Sequence, residues 1–263
     1  MRHYFVRKEE IVGDLLIPSD EDNLGIGLVW LPGLPNQPLV EDMTHNLAAK
    51  GFTVLNARYP GSWQSYGRFG PASSVEGANL GLELLNEGET TDLPTMETVR
   101  WNVNRLVLVG NSYGGAIAVT ALAKNDLADG AVAFCPMLDP GAQNDRPDEP
   151  EEDLTTMLPF LKRCHENTFR DIDPLEWNAF IKGEHLCNPV DYITELKDKR
   201  MLFIHGTEDV SIRPRHTLSF YEKLKKAGAD QVELKVVESI GHGRKLRTST
   251  ESEWVRWLVK HFS

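Results

Sequence analysis

Cysteine is scarce in this chain. Cys135, Cys164 and Cys187 are the only three among 263 residues, odd in number and far apart. They form no CxxC pair and no zinc-ligand spacing, so neither a disulfide framework nor a zinc motif organises the fold. Reduced thiols in a cytoplasmic protein are the expectation. Long apolar runs are missing too. Ala116 to Ala123 is the most apolar stretch, well short of the roughly 18 residues of a membrane span. Met1 to Glu10 turns polar at once and has no apolar secretion core, so no membrane association is expected. Positive charge is in deficit, with Lys+Arg 28 against Asp+Glu 39 for a net charge of -11. Such a chain repels phosphate backbones, which excludes nucleic acid as a default partner. There is no internal repeat and no low-complexity tract.

What remains is an ordinary globular composition. The hydrophobic fraction is 41% before its 21 glycines are counted, enough for a sizeable core. The pattern alternates. Strands are predicted at Tyr4 to Val6, Ile11 to Ile17, Gly25 to Leu31, Phe52 to Ala57, Arg105 to Val109, Ala131 to Phe134, Met201 to His205 and Val232 to Val237. Helical spacing fills 39–50, where Leu39, Met43, Leu47 and Ala48 share a face, and 72–87. It recurs at 112–124, at 214–227 with Leu218, Tyr221 and Leu224 together, and at 249–262 with Trp254, Trp257 and Leu258 inward. Strands alternating with helices predict a doubly wound, mostly parallel α/β sheet.

Residues 139–198 break that alternation. Asp139 to Asp153 holds seven acids, one base and three prolines, the composition of a mobile, solvated loop. Beyond it, Leu154, Leu158 and Leu161 make one stripe, and Leu175, Trp177, Phe180 and Ile181 a second patch. The segment reads as a helical cap inserted into one domain spanning 1–263, because alone it could bury little core.

The strongest motif is Gly110-Asn111-Ser112-Tyr113-Gly114, a G-x-S-x-G with Gly115 after it. It follows a predicted strand and opens a predicted helix. A serine there sits on a tight turn with its hydroxyl above the sheet. Gly110 and Gly114 suit places where a side chain would strike the neighbouring strand or helix. Serine needs a base to act as a nucleophile at neutral pH. The expected chain order is serine, acid, histidine. Asp209 after one strand and His242 after the last supply both, although an exposed Asp or a Gly-flanked His alone is usually a plain loop residue. Glu208 and Asp139 are the rival acids. Asp209 is preferred, since Asp139 leads straight into the Pro-rich loop.

With these residues and three further segments, the chain resembles the α/β-hydrolases, most closely the prolyl-oligopeptidase and dienelactone-hydrolase-like serine hydrolases. The segments are Leu31-Pro32-Gly33-Leu34, Asn56-Ala57-Arg58-Tyr59-Pro60-Gly61-Ser62 and His205-Gly206-Thr207-Glu208-Asp209. Pro32-Gly33 stands where relatives often carry His-Gly, and no HGGG motif is present, unlike lipase-like carboxylesterases. The resemblance implies an acyl-enzyme mechanism without cofactor or metal. Ser112 attacks, His242 shuttles the proton and Asp209 orients the imidazole. The backbone N–H groups of Leu34 and Tyr113 are the implied oxyanion donors.

Arg58, Tyr59, Trp63 and Tyr66 follow a strand end and are candidates for the substrate pocket, with loop packing an equal alternative. His45, His165, His185 and His216 have no metal-binding spacing. His205 reads as structural, and Arg244, Lys245 and Arg247 as an exposed basic run. The expected substrate is a small acyl compound, a carboxylic ester first. The chain leaves no room for the propeller that large oligopeptidases use to select peptides. Amide hydrolysis, acyl transfer or thioester hydrolysis, and a non-enzymatic ligand receptor stay open as alternatives. The oligomeric state is not legible.

Overall fold

In the computed structural model, which describes residues 1–36, 42–164 and 167–263, the chain opens with an antiparallel hairpin. Its strands are β1 (Arg2–Lys8) and β2 (Ile11–Ile17). Next come β3 (Ile26–Leu31), α1 (Asp42–Ala49), β4 (Thr53–Arg58) and α2 (Pro71–Glu87). A small separate hairpin, β5 (Glu89–Thr91) with β6 (Thr98–Arg100), was not foreseen from the sequence. Its strands are too short to show a period. β7 (Arg105–Asn111), α3 (Tyr113–Lys124) and β8 (Gly130–Phe134) lead to the insertion. The insertion carries α4 (Met157–Cys164), α5 (Pro174–Ile181) and α6 (Ile193–Leu196). β9 (Arg200–Gly206), α7 (Pro214–Lys226), β10 (Val232–Val237), α8 (Arg244–Ser249) and α9 (Glu251–Phe262) follow.

Eight strands form one sheet in the order β1-β2-β4-β3-β7-β8-β9-β10. β2 is antiparallel to both neighbours, and every pairing from β4 to β10 is parallel. Each inner strand is apolar on both faces. In β7, Leu106 and Leu108 enter the core beneath α2 and α3, while Val107 and Val109 enter the core beneath α1 and α9. That period of two explains why β7 reads as a continuous apolar run. The chain passes from β3 out to β4 and returns on the other side of β3 as β7. A crevice therefore opens beyond the carboxyl ends of β3 and β7, where doubly wound sheets bind ligands.

Several side chains face differently from the sequence pattern. Leu175 is 79% exposed, while Trp177 and Phe180 on the same helix are buried. Asp173 caps that helix by accepting the Leu175 N–H at 2.8 Å, which fixes its entry and turns Leu175 outward. On α7 the buried residues are Thr217, Phe220 and Leu224, and Leu218 is 40% exposed. The single helix expected at 249–262 is α9, with a separate α8 before it. Leu39 and His165 lie outside the described residues.

The insertion is tied down at several points. Trp63 N–H donates to Thr168 O at 3.0 Å, Phe69 N–H to Arg170 O at 2.8 Å, and Arg170 N–H to Gly61 O at 2.8 Å. Its acidic loop is not merely solvated, as its composition suggested. The Glu151 carboxylate is fully buried, pairs with Arg215 and with His216 Nε2 at 2.8 Å, and accepts the Arg213 N–H at 3.0 Å. Compensated in this way, a buried carboxylate is stable. Cys135 and Cys187 are buried free thiols. Burial pushes Cys187 up to about 12, which leaves it unreactive. Among the described residues, no helix is long and apolar enough to cross a membrane.

Candidate active site

Ser112 lies between β7 and α3 with φ 55°, ψ -122°, a region that non-glycine residues rarely occupy. The surrounding glycines make this turn possible. A Cβ on Gly110 would stand 2.1 Å from Gly114 O, and one on Gly114 would stand 2.2 Å from Leu31 O. α3 is thereby pressed against the ends of β7 and β3. The Ser112 N–H donates to Phe134 O at 2.9 Å, and the Ser112 carbonyl accepts from Met137 N–H at 3.2 Å. The strained residue is held from both sides.

Asp209 follows β9 and is fully buried. Its Oδ1 accepts two backbone N–H groups, from Ser211 and Ile212, each at 2.9 Å. Its Oδ2 lies 2.6 Å from His242 Nδ1 and 3.2 Å from His205 Nε2. Burial alone would favour the neutral acid. The hydrogen bonds from His205, His242 and Ile212 outweigh it and hold the carboxyl well below the usual carboxylate range. An ionised Asp209 only accepts, so His242 Nδ1 carries the proton that it donates and Nε2 is left as the basic nitrogen.

His242 sits in the loop after β10. Ser112 and His242 together line two cavities, of about 430 Å³ and about 670 Å³. Among the described residues Ser112 Oγ makes no hydrogen bond, and Cys135 Sγ lies 4.0 Å from His242 Nε2. Such a serine–histidine bond commonly closes only with substrate present. Cys135, Asp209 and His242 are also the group of potential metal-ligating atoms that lies close together among the described residues. Two of the three are already joined by the 2.6 Å hydrogen bond, and a metal on Nδ1 of His242 would break it.

Burial would lower the basicity of His242, but the hydrogen bond that it donates to Asp209, helped by the Cys135 contact, raises it above an ordinary imidazole. A histidine acts as general base only in its neutral form, the role expected of His242. The acid limb of kcat/KM is therefore expected above pH of about 6.5. In Asp209→Asn the limb should move down, since the carboxylate that favours imidazolium is gone. A pH–rate profile of the two proteins checks this, and a wild-type limb below the ordinary histidine value would contradict it.

The turn after β3 brings Gly33 so near that a Cβ there would lie 2.7 Å from Asn111 Nδ2 and 3.2 Å from Ser112 Cβ. The adjacent Leu34 lines both cavities. Among the described residues no protein acceptor takes its N–H. The Tyr113 N–H opens α3 and is one of that helix's unpaired first-turn donors. The Tyr113 ring is buried. Its hydroxyl donates to Ser74 Oγ at 2.8 Å, and its face stacks on Trp177 at 6.1 Å, fastening the insertion to the start of α3.

The four candidate pocket residues line neither cavity at Ser112. Arg58 is buried against Asp14, 2.8 Å away, with its guanidinium over the Phe5 ring. Tyr59 donates its hydroxyl to Pro32 O at 2.8 Å, steadying the turn before Leu34. Trp63 donates to Asn36 Oδ1 at 3.1 Å, and Tyr66 is exposed beneath Arg7. Their partners lie in β1 and β2 and in the turn after β3, and these contacts draw all four side chains away from Ser112. Asp139 faces Lys223 at 3.7 Å in a different cavity, away from His242.

Two residues read otherwise from the sequence stand close to the site: His205, expected to be merely structural, and Arg247, expected in an exposed basic run. His205 is fully buried, 2.8 Å from Thr217 Oγ1 and 2.9 Å from Ile212 O as well as beside Asp209. Arg247 is buried, and it lines the smaller cavity with Arg244, Asn36, Asn56 and Asn111. The four-residue gap between His205 and Asp209, and the three-residue gap between Arg244 and Arg247, were the available signals.

The sequence model of the prolyl oligopeptidase family matches residues 97–263, more than half of the chain. Among solved structures, the chain is similar to the α/β hydrolase GrgF from Penicillium sp. sh18. The identity is 18% over 96% of this chain and 94% of that one, with a TM-score of 0.68. It is similar to the Pyrococcus horikoshii acylaminoacyl peptidase at 18% identity and a TM-score of 0.72, covering 99% of this chain but only 41% of the peptidase. It is also similar to the Pyrococcus furiosus esterase Pf2001 at 17% identity and a TM-score of 0.67, over 100% of this chain and 91% of that one. At such identities the likeness is one of fold. No curated protein matches the sequence.

Proposed function

The chain belongs to the prolyl oligopeptidase family of α/β-fold serine hydrolases, and on that premise we propose that it cleaves a carboxylic ester of a small molecule through an acyl-enzyme on Ser112. The observation that carries this reading is the 2.6 Å bond from His242 Nδ1 to buried Asp209, with His242 and the strained Ser112 facing the same cavities. Ser112 Oγ adds to the ester carbonyl while His242 Nε2 takes its proton. The carbonyl oxygen becomes anionic between the N–H groups of Leu34 and Tyr113. The bond to the leaving oxygen then breaks, and that oxygen receives the proton from His242. Water repeats the sequence, frees the acid and restores Ser112.

Support for a small ester comes from the space available. The insertion 139–198 acts as a cap, and Leu154, Met157 and Phe160 wall the larger cavity. A narrow apolar recess of about 20 Å³ beside Ser112 is walled by Leu34, Tyr113, Met137, Trp177 and Phe180, and has room for a methyl-sized end of an acyl group. Metal and organic cofactor play no part in the reading, and a cytoplasmic setting suits its free thiols. Comparing 4-nitrophenyl acetate, butyrate and dodecanoate with N-acetylalanine and alanine 4-nitroanilides tests it. Turnover of the two short esters with little on dodecanoate or either anilide is expected. Efficient cleavage of an anilide would contradict it and move the protein to the peptidases, the activity named for its Pyrococcus horikoshii neighbour.

A further inference from the structure

Among the described residues, four N–H groups surround the Asp209 carboxylate. Oδ1 accepts from Ser211 and Ile212, each at 2.9 Å, in the turn that Asp209 itself opens. Oδ2 faces His242 Nδ1 at 2.6 Å and His205 Nε2 at 3.2 Å. His205 stands on β9 after Met201, Leu202, Phe203 and Ile204, all buried and apolar. An inner parallel strand normally continues such a run to its end. A fully buried imidazole in that place is costly unless both of its nitrogens find partners. Both do, and one of the partners is the candidate acid.

The partners decide which nitrogen of His205 carries a proton. Nε2 faces the Ile212 carbonyl at 2.9 Å and Asp209 Oδ2 at 3.2 Å, and both groups only accept. Nε2 therefore bears a hydrogen that the two oxygens share, with the carbonyl nearer. Nδ1 lies 2.8 Å from Thr217 Oγ1 on α7, a hydroxyl that can donate or accept. Thr217 is fully buried as well. A polar line thus runs from α7 through β9 to the cavities, in the order Thr217, His205, Asp209, His242.

We infer that His205 is a positioning residue of the reaction, acting through Asp209: its Nε2–H draws on the oxygen that His242 uses and so limits how tightly His242 holds a proton. The inference rests on the serine-hydrolase reading above. A donor beside a carboxylate oxygen stabilises its charge, and a stabilised carboxylate favours a neighbouring imidazolium less. Away from water such an effect is strong. Without the Nε2–H, Oδ2 is left to His242 alone, and the imidazolium form gains. The two bonds to Oδ1 are local to the turn and remain, so Asp209 keeps its place. The acid limb of the reaction should then move up. If His205 merely held the acid in position, its loss would move the limb down, as Asp209→Asn does.

The test is the second-order rate of fluorophosphonate labelling against pH, read by intact mass, which needs no knowledge of the substrate. Proteins are the wild type, His205→Gln, His205→Asn, His205→Met and Thr217→Val. Glutamine reaches far enough to keep an N–H near the Nε2 position, asparagine reaches only to Nδ1, and methionine fills the space without a donor. The other groups facing His242 are Arg244 and Arg247 in the smaller cavity, Glu152 and Arg163 in the larger, and the Cys135 thiol. All proteins share them, so differences between the limbs report the line through His205. In His205→Asn and His205→Met the limb should rise by about 0.5 to 1 pH unit. Their plateau rate should fall by about 3- to 10-fold, the range for one hydrogen bond to a charged group. His205→Gln should lie nearer the wild type than either. Should both donor-free variants fail to fold, the near-isosteric Thr217→Val decides. Without its hydroxyl partner the Nε2–H is a weaker donor, so the limb should still rise, by about 0.3 unit. A limb that stays or falls in these folded variants overturns the inference, as does an equal rise in His205→Gln. Absence of a wild-type adduct overturns the hydrolase reading and the inference together.

Discussion

Ser112→Ala is expected to lower kcat on 4-nitrophenyl butyrate by about 10⁶-fold, with the fold intact. The magnitude follows from the hydroxyl being the nucleophile: without it no acyl-enzyme forms, and His242 and Asp209 have no proton to move. Alanine keeps the Cβ, so the turn with φ 55° meets no new clash. A melting temperature near that of the wild type would separate lost chemistry from lost structure. Residual turnover above the uncatalysed rate is expected, since the N–H groups of Leu34 and Tyr113 remain. A loss of only a few-fold would mean that another group performs the attack.

Asp209→Asn is expected to lower kcat by about 10⁴-fold, through loss of the tautomer that Asp209 imposes on His242. The carboxylate only accepts, which keeps the Nδ1 proton facing it at 2.6 Å. An amide can present its NH₂ instead, and the imidazole then carries its proton on Nε2, where Ser112 needs a base. Asp139→Asn should change kcat by no more than about twofold, as a surface substitution does. Asp139 faces Lys223 and lies on a separate cavity. Steady-state kinetics on both variants decide the matter. The reverse ranking would move the acid to Asp139.

The triad candidates were legible in the sequence because each sits next to a strong local signal. Gly110, Gly114 and Gly206 mark places where backbone meets backbone, and a Cβ on Gly206 would lie 2.0 Å from Ile240 O. Apolar runs such as Arg105 to Val109 mark inner parallel strands. The long-range pieces were not legible. Whether Arg58 reaches the site or pairs with Asp14 depends on β4 lying beside β2, which no local pattern states. Burial of Glu151 depends on its meeting His216 and Arg215, more than sixty positions away. The basic stretch Arg244-Lys245-Leu246-Arg247 looks exposed in any window, and it is the start of α8 after Gly243 that buries Leu246 and Arg247 while Arg244 and Lys245 stay exposed. Leu175 was misread for a similar reason, because its exposure follows from a cap at Asp173 and not from its hydrophobicity.

The cap adds one physical constraint on the chemistry. Phe180 and Trp177 are buried against Tyr113, the residue that follows Ser112. Burying a ring of this size stabilises by about 1.5–3 kcal/mol, so the cap and the elbow support each other energetically. Under the proposed mechanism, one aromatic cluster thereby links the insertion to the Tyr113 N–H.

Intact mass after fluorophosphonate treatment tests the central claim most directly. Wild-type protein should gain one adduct, and Ser112→Ala should gain none. An unlabelled wild type that is demonstrably folded, or equal labelling of the alanine variant, would contradict an activated serine at position 112.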